Sequence, residues 1–125
     1  MSADQKNILV VEDESSMQRL ISFKLKGEGY QVDTANDGIT AMEKLRENDY
    51  SALILDLMIP QLDGMQILKK LDQEGIEVSV LVLSAKSLEK DILNGLESGA
   101  DDYLTKPFRP TELIARLKKL LVKKR

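Results

Sequence analysis

Short aliphatic runs alternate along this chain with segments whose apolar residues recur every three or four positions. Ile8-Leu9-Val10-Val11, Leu53-Ile54-Leu55 and Val78 to Leu83 are almost wholly aliphatic, as expected of central strands in a parallel sheet covered on both faces. Gln31-Val32-Asp33-Thr34-Ala35 is more polar and predicts an edge strand, and a fifth strand is predicted over Asp102 to Thr105. Met17, Leu20, Ile21 and Leu25 form a one-sided stripe behind the candidate caps Ser15 and Ser16, with Gly27 or Gly29 as its stop. Ile39, Met42 and Leu45 predict a second helix. Met65, Leu68 and Leu71 predict a third, opened by Asp63-Gly64 and closed near Gly75. A fourth carries Leu88, Ile92 and Leu96 and ends at Gly99 in a left-handed cap. Leu113, Ile114, Leu117, Leu120 and Leu121 recur behind Pro110, a good first-turn residue, and predict a final amphipathic helix. The alternation reads as five βα units in one α/β domain over residues 1–125. No internal repeat, low-complexity tract or long linker interrupts it.

Composition narrows the chemistry. With no cysteine and no histidine, a disulfide framework, a thiolate nucleophile, a Ser-His-Asp triad and an imidazole-held metal are all excluded. Any metal must be held by oxygen, which favours a hard cation such as Mg²⁺. A net charge of -3 gives no reason to expect direct nucleic-acid binding. Lys118, Lys119, Lys123, Lys124 and Arg125 crowd the C-terminus, where they complement the negative end of a helix dipole. No apolar stretch approaches the roughly 18 residues of a membrane span, and Met1 to Lys6 lacks an apolar signal core. The expectation is a soluble, cytoplasmic protein that does not engage membranes.

Four predicted strands end in residues suited to phosphate chemistry: Glu12-Asp13, Asp56, Ser84 and Lys106. In an open parallel sheet, ligands bind outside the carboxyl ends of the strands, so these residues converge there. Singly, an Asp or Ser between a strand and a helix is most often an N-cap. Jointly, carboxylates about 4 Å apart repel by roughly 4 kcal/mol per pair at an effective dielectric of 20, so the cluster calls for a cation. Lys106 supplies a compact positive charge fixed by Pro107, and Ser84 a hydroxyl donor, for the oxygens of a phosphorylated Asp56. The Lys-Pro bond is open to either isomer. The chain contains neither G-x-G-x-x-G nor G-x-x-x-x-G-K-[ST], which argues against a nucleotide-binding domain.

The set Glu12-Asp13, Asp56, Ser84 and Lys106, with Leu55-Asp56-Leu57-Met58-Ile59-Pro60, Asp63-Gly64 and the run Gly99 to Phe108, resembles the receiver domain of two-component response regulators over essentially the whole chain. That resemblance implies a flavodoxin-like, doubly wound, five-stranded parallel sheet in the order 2-1-3-4-5 with five flanking helices. It makes Asp56 the phosphoryl acceptor and places Mg²⁺ on Asp13, Asp56 and the Met58 carbonyl, with Glu12 acting through water. Ser84 and Lys106 would bind phosphoryl oxygens, and Tyr103 would swing inward as Ser84 moves. The donor imidazole, absent here, would come from a sensor histidine kinase or a histidine phosphotransfer protein.

The run Asp101 to Leu121 most resembles receivers of winged-helix transcriptional regulators, which dimerise through the helix before the fifth strand, that strand, and the last helix. Asp101, Asp102, Glu112 and Arg116 match members of that interface, whereas Ile92 stands where such receivers usually carry a basic residue. Lys86 and Met58, two residues beyond Ser84 and Asp56, occupy positions that in similar proteins influence phosphoryl lifetime. An output domain or downstream protein would read the switch, from a stand-alone receiver or from the front end of a longer regulator. Two other readings stay open on residues alone. An aspartate-nucleophile phosphatase would want a second Asp where Met58 stands, and a degenerate receiver would serve as a constitutive scaffold.

Overall fold

The structure is a computed structural model describing residues 6–85 and 99–123. Its strands are β1 (Asn7–Val11), β2 (Gln31–Ala35), β3 (Ala52–Asp56), β4 (Ser79–Ala85) and β5 (Asp102–Lys106). The helices among the described residues are α1 (Ser15–Gly27), α2 (Gly38–Glu47), α3 (Gly64–Glu74) and α4 (Pro110–Lys123). The helix predicted over 88–96, with Ile92, and Lys86 before it lie outside the described residues. All five strands run parallel in the order β2-β1-β3-β4-β5, the doubly wound arrangement expected.

Period-two alternation divides the core. Leu9, Val11, Leu53, Leu55, Val80 and Val82 point to one face, against Met42 and Leu45 of α2 and Ile67, Leu68 and Leu71 of α3. Ile8, Val10, Ile54, Leu81 and Leu83 point to the other, against Ile21 and Leu25 of α1 and Leu113, Leu117 and Leu120 of α4. Because β1 and β3 need apolar side chains on both faces, they read as unbroken aliphatic runs.

The helix starts follow their local chemistry, with one correction. Asp37 caps α2 by accepting the Thr40 amide at 2.7 Å. Asp63 caps α3 in a reciprocal box with Gln66, and Gly75 closes that helix at φ 68°. At α1 neither Ser15 nor Ser16 is the cap: Glu14 holds that position in extended backbone, without a side-chain cap bond. The first intrahelical bond runs from the Gln18 amide to the Glu14 carbonyl at 2.9 Å, which puts both serines inside the first turn, while burial of Ile21 and Leu25 sets the helix phase. The same phase leaves Leu20 and Phe23 at the surface, and Ile39 of α2 is likewise exposed, so the stripes are narrower than the sequence suggests.

Within α1 the Ser22 hydroxyl is buried with no hydrogen-bond partner among the described residues. Leaving a buried donor unmet costs about 1–3 kcal/mol, and alanine is the better helix former. Ser22→Ala is therefore expected to stabilise the protein by about 1 kcal/mol, a rise of several degrees in Tm that calorimetry would read. An unchanged or lower Tm would contradict this account of Ser22.

Candidate functional site

The carboxyl ends of β1, β3, β4 and β5 bring the predicted polar residues together. Glu12 follows β1 directly and is 1% exposed, Asp56 ends β3 at 4%, and Ser84 is the penultimate residue of β4 at 0%. Asp13 is exposed. One carboxylate oxygen from each of Glu12, Asp13 and Asp56 lies within 4.8 Å of the others. Three hard oxygen donors in that space, with no histidine or cysteine in the chain, fit a Mg²⁺ ion that keeps part of its water shell.

Lys106, the last residue of β5, donates to Asp56 Oδ2 at 3.0 Å and to Glu12 Oε1 at 3.3 Å. The sequence pattern points this lysine toward phosphoryl oxygens. Here it balances the two most buried acids of the cluster. Its peptide bond to Pro107 is cis. Burial lowers the Lys106 pKa, but the hydrogen bond and charge of Asp56, and then Glu12, outweigh it, so the net direction is upward. Glu12 is pushed up to about 7, first by burial and then by the charge of Asp56, with Lys106 and the Glu14 amide pulling it back. Near neutral pH the pocket therefore sits close to holding one extra proton.

The loop after β3 is braced at both ends. Met58 donates its amide to Asp56 Oδ1 at 3.0 Å, while its side chain is 68% exposed. Gly64 donates its amide to the Leu57 carbonyl at 3.1 Å, and Gly38 donates to Pro60 at 3.2 Å. Neither glycine has room for a side chain: a Cβ on Gly64 would lie 2.7 Å from Leu57 Cα, and one on Gly38 only 1.8 Å from the Leu62 carbonyl oxygen. Asp63-Gly64 is legible in the sequence as a helix start, but its packing against Leu57 is not. Gly64→Ala is expected to cost about 1–3 kcal/mol in urea unfolding, the range for forced overpacking. A variant within error of wild type would mean that the loop yields freely.

Tyr103 pairs in register with Val82 and is buried at 9% exposure in the same core cluster as the inward faces of α2 and α3. The predicted interface residues are engaged within the chain. Asp101 accepts the Val80 amide at 2.7 Å. Arg116 donates to Asp102 at 3.0 Å and lies 3.7 Å from Glu112.

An open parallel sheet with a carboxylate cluster and a lysine at its strand ends defines a class of α/β protein with an acidic pocket suited to a hard cation. The family model for the response regulator receiver domain matches residues 8–118, and the chain belongs to that family. It is 46% identical to the alkaline phosphatase synthesis transcriptional regulatory protein PhoP of Bacillus subtilis, covering 93% of this chain and 48% of that protein. It is 42% identical to the transcriptional regulatory protein SrrA of Staphylococcus aureus, covering 91% and 47% respectively. The chain thus spans about half the length of these curated relatives. The receiver domain of a Francisella response regulator superposes with a TM-score of 0.92 at 36% identity, covering 97% of this chain and all of that one (100%). The receiver domain of a Pseudomonas aeruginosa sensor histidine kinase, with a magnesium ion coordinated in its active site cleft, gives 0.85 at 34% identity, covering 94% and 98%. Receiver domains of this family serve two-component signalling.

Proposed function

We propose that Asp56 is the phosphoryl acceptor of this receiver and that the donor is a phosphohistidine on a partner kinase or phosphotransfer protein. The observation that carries this reading is the burial of Asp56 between Lys106 and the Glu12–Asp13 pair at the strand ends. An Asp56 carboxylate oxygen attacks phosphorus, the P–O bond forms, and the P–N bond breaks with its electron pair leaving on the donor imidazole. Such a transfer needs alignment and charge neutralisation more than a general base. Glu12, Asp13, Asp56 and the Met58 carbonyl are the groups proposed to hold Mg²⁺, which when bound offsets negative charge on the phosphoryl oxygens. Lys106 follows the transferred group, and Ser84 donates its hydroxyl to a further oxygen.

The phosphoryl group adds about -1.5 to -2 charges and three acceptor oxygens, a perturbation felt first by Ser84 and Lys106. In this proposal Ser84 and Tyr103 form the switch, and the surface carrying Asp101, Asp102, Glu112 and Arg116 passes the signal to an output domain, a downstream protein or a second copy. The size of the population shift is set by the difference in the phosphoryl group's interaction free energy with the two states. The domain is proposed to act in the cytoplasm, to occupy residues 1–125, and to carry out self-directed phosphoryl acceptance and loss without turning over an independent substrate. No helix among the described residues is long and apolar enough to cross a membrane.

The test is intact-mass spectrometry after incubation with Mg²⁺ and acetyl phosphate. A single phosphoryl adduct that disappears with EDTA is expected. A folded, Mg²⁺-binding protein that takes up no phosphoryl group from this donor or from a phosphohistidine protein would overturn the reading.

A further inference from the structure

The ladder that holds β1 ends one residue short of the acids it must position. Val11 is its last paired residue, opposite Ala35 on one side and Leu55 on the other. Glu12 and Asp13 lie beyond that point, so their backbone needs other restraints. One is the Glu12 amide, which donates to the Ala35 carbonyl at 3.1 Å.

The other restraint comes from α1. Half-buried Gln18 turns its side-chain amide toward the strand ends, where Nε2 donates to the Glu12 carbonyl at 2.9 Å and to Asn36 Oδ1 at 2.7 Å. Ala35 O lies farther off, at 3.4 Å. An amide nitrogen carries two hydrogens, so the two short bonds use both. Gln18 thus ties the backbone carrying the Glu12 carboxylate to the loop after the neighbouring strand β2. None of these bonds reaches a carboxylate of the cluster, so Gln18 acts only through the main chain. The fold does not depend on it for cohesion, because Ile21 and Leu25, at 2% and 0% exposure, already anchor α1.

We propose that Gln18 is a positioning residue for the cation site: by fixing the Glu12–Asp13 backbone it sets Mg²⁺ affinity, and through it the rate of phosphoryl uptake. This rests on the Mg²⁺ reading given above. Groups that orient metal ligands from behind typically change affinity by 10–100-fold when removed, and a flexible backbone under two of three acids falls in that class.

The test uses the full chain and Gln18→Met, which keeps length and helix preference but has no donor. Two readouts are taken: Mg²⁺ affinity by titration calorimetry, and hydrogen exchange of the Glu12 and Glu14 amides in EDTA by NMR. Gln18→Met is expected to weaken Mg²⁺ by about tenfold and to speed exchange at those amides, with β1 interior amides and the urea midpoint little changed. Asn36→Ala, which leaves the Glu12 bond in place, should weaken Mg²⁺ less. Wild-type exchange at Glu12 and Glu14 in Gln18→Met would overturn the proposal whatever the metal does, as would unchanged Mg²⁺ affinity. If wild type itself binds no Mg²⁺, the cation reading fails separately, and exchange alone decides whether Gln18 holds this backbone.

Discussion

Asp56→Asn is expected to remain folded and to lose phosphoryl uptake from acetyl phosphate entirely, a fall on the order of 10³-fold or more, as nucleophile deletions give. The two oxygens of Asp56 have separate partners: Oδ1 accepts the Met58 amide at 3.0 Å and Oδ2 accepts Lys106 at 3.0 Å. An asparagine oriented with its carbonyl toward Met58 keeps the first bond and so keeps the loop. Its amide nitrogen would face the Lys106 ammonium, which can turn to Glu12, its other partner at 3.3 Å. The variant thus separates chemistry from architecture. Its amide is no nucleophile, whereas the Glu12–Asp13 pair and Lys106 remain to bind a cation and an anion. Intact mass after incubation with donor and Mg²⁺, beside urea unfolding of both proteins, provides the measurement. An adduct of wild-type yield on a folded Asp56→Asn protein would move the acceptor elsewhere, with the Ser84 hydroxyl the first to examine.

Those features were legible to the extent that they depend on local pattern. The aliphatic runs of β1 and β3 read as strands covered on both faces, and once five strands alternate with helices, the strand ends fall at Glu12, Asp56, Ser84 and Lys106 without any knowledge of contacts. Asp63-Gly64 and Gly75 punctuate α3 as turn chemistry predicts. What the pattern hid depends on contacts between distant segments. Ser15 and Ser16 look like caps, but α1 opens with the Gln18 amide on the Glu14 carbonyl, which assigns the position to Glu14. Gly64 lacks room for a side chain only because Leu57 folds back on it, its Cα 2.7 Å from where a Cβ would stand. Gln18 carries no charge and belongs to no motif, and its role emerges only when β2 lies beside β1 and brings Asn36 within 2.7 Å. The strand-end pattern points Lys106 toward an anion, whereas its pairing with both Glu12 and Asp56 follows from the sheet order, which puts β5 on the β4 side of the site.

That pairing leaves Glu12 as a cluster acid whose charge state the fold controls strongly, and Glu12→Gln is expected to remove a pH dependence from stability. Its pKa rises from 4.5 to about 7, with burial the largest cause and the charge of Asp56 the second. A carboxyl that binds its proton more tightly when folded stabilises the fold while protonated. This contribution is full below about pH 4.5 and is lost as pH rises through 7. Each pKa unit corresponds to 1.36 kcal/mol, so the loss approaches about 3 kcal/mol by pH 8 in the absence of metal. Glu12→Gln keeps shape and hydrogen-bonding capacity without a charge to desolvate. In EDTA, its urea midpoint should match wild type near pH 5 and exceed it clearly at pH 8. Saturating Mg²⁺ should reverse the order at pH 8, because the cation stabilises the ionised form of Glu12 and gains less from glutamine. Parallel pH profiles for the two proteins in EDTA would show that the pocket tolerates an ionised Glu12 at no cost, and that Lys106 alone compensates the buried acids. Diverging profiles that Mg²⁺ fails to reverse would instead mark Glu12 as a buried carboxyl outside the cation's reach, leaving Asp13 and Asp56 as the acids that hold it.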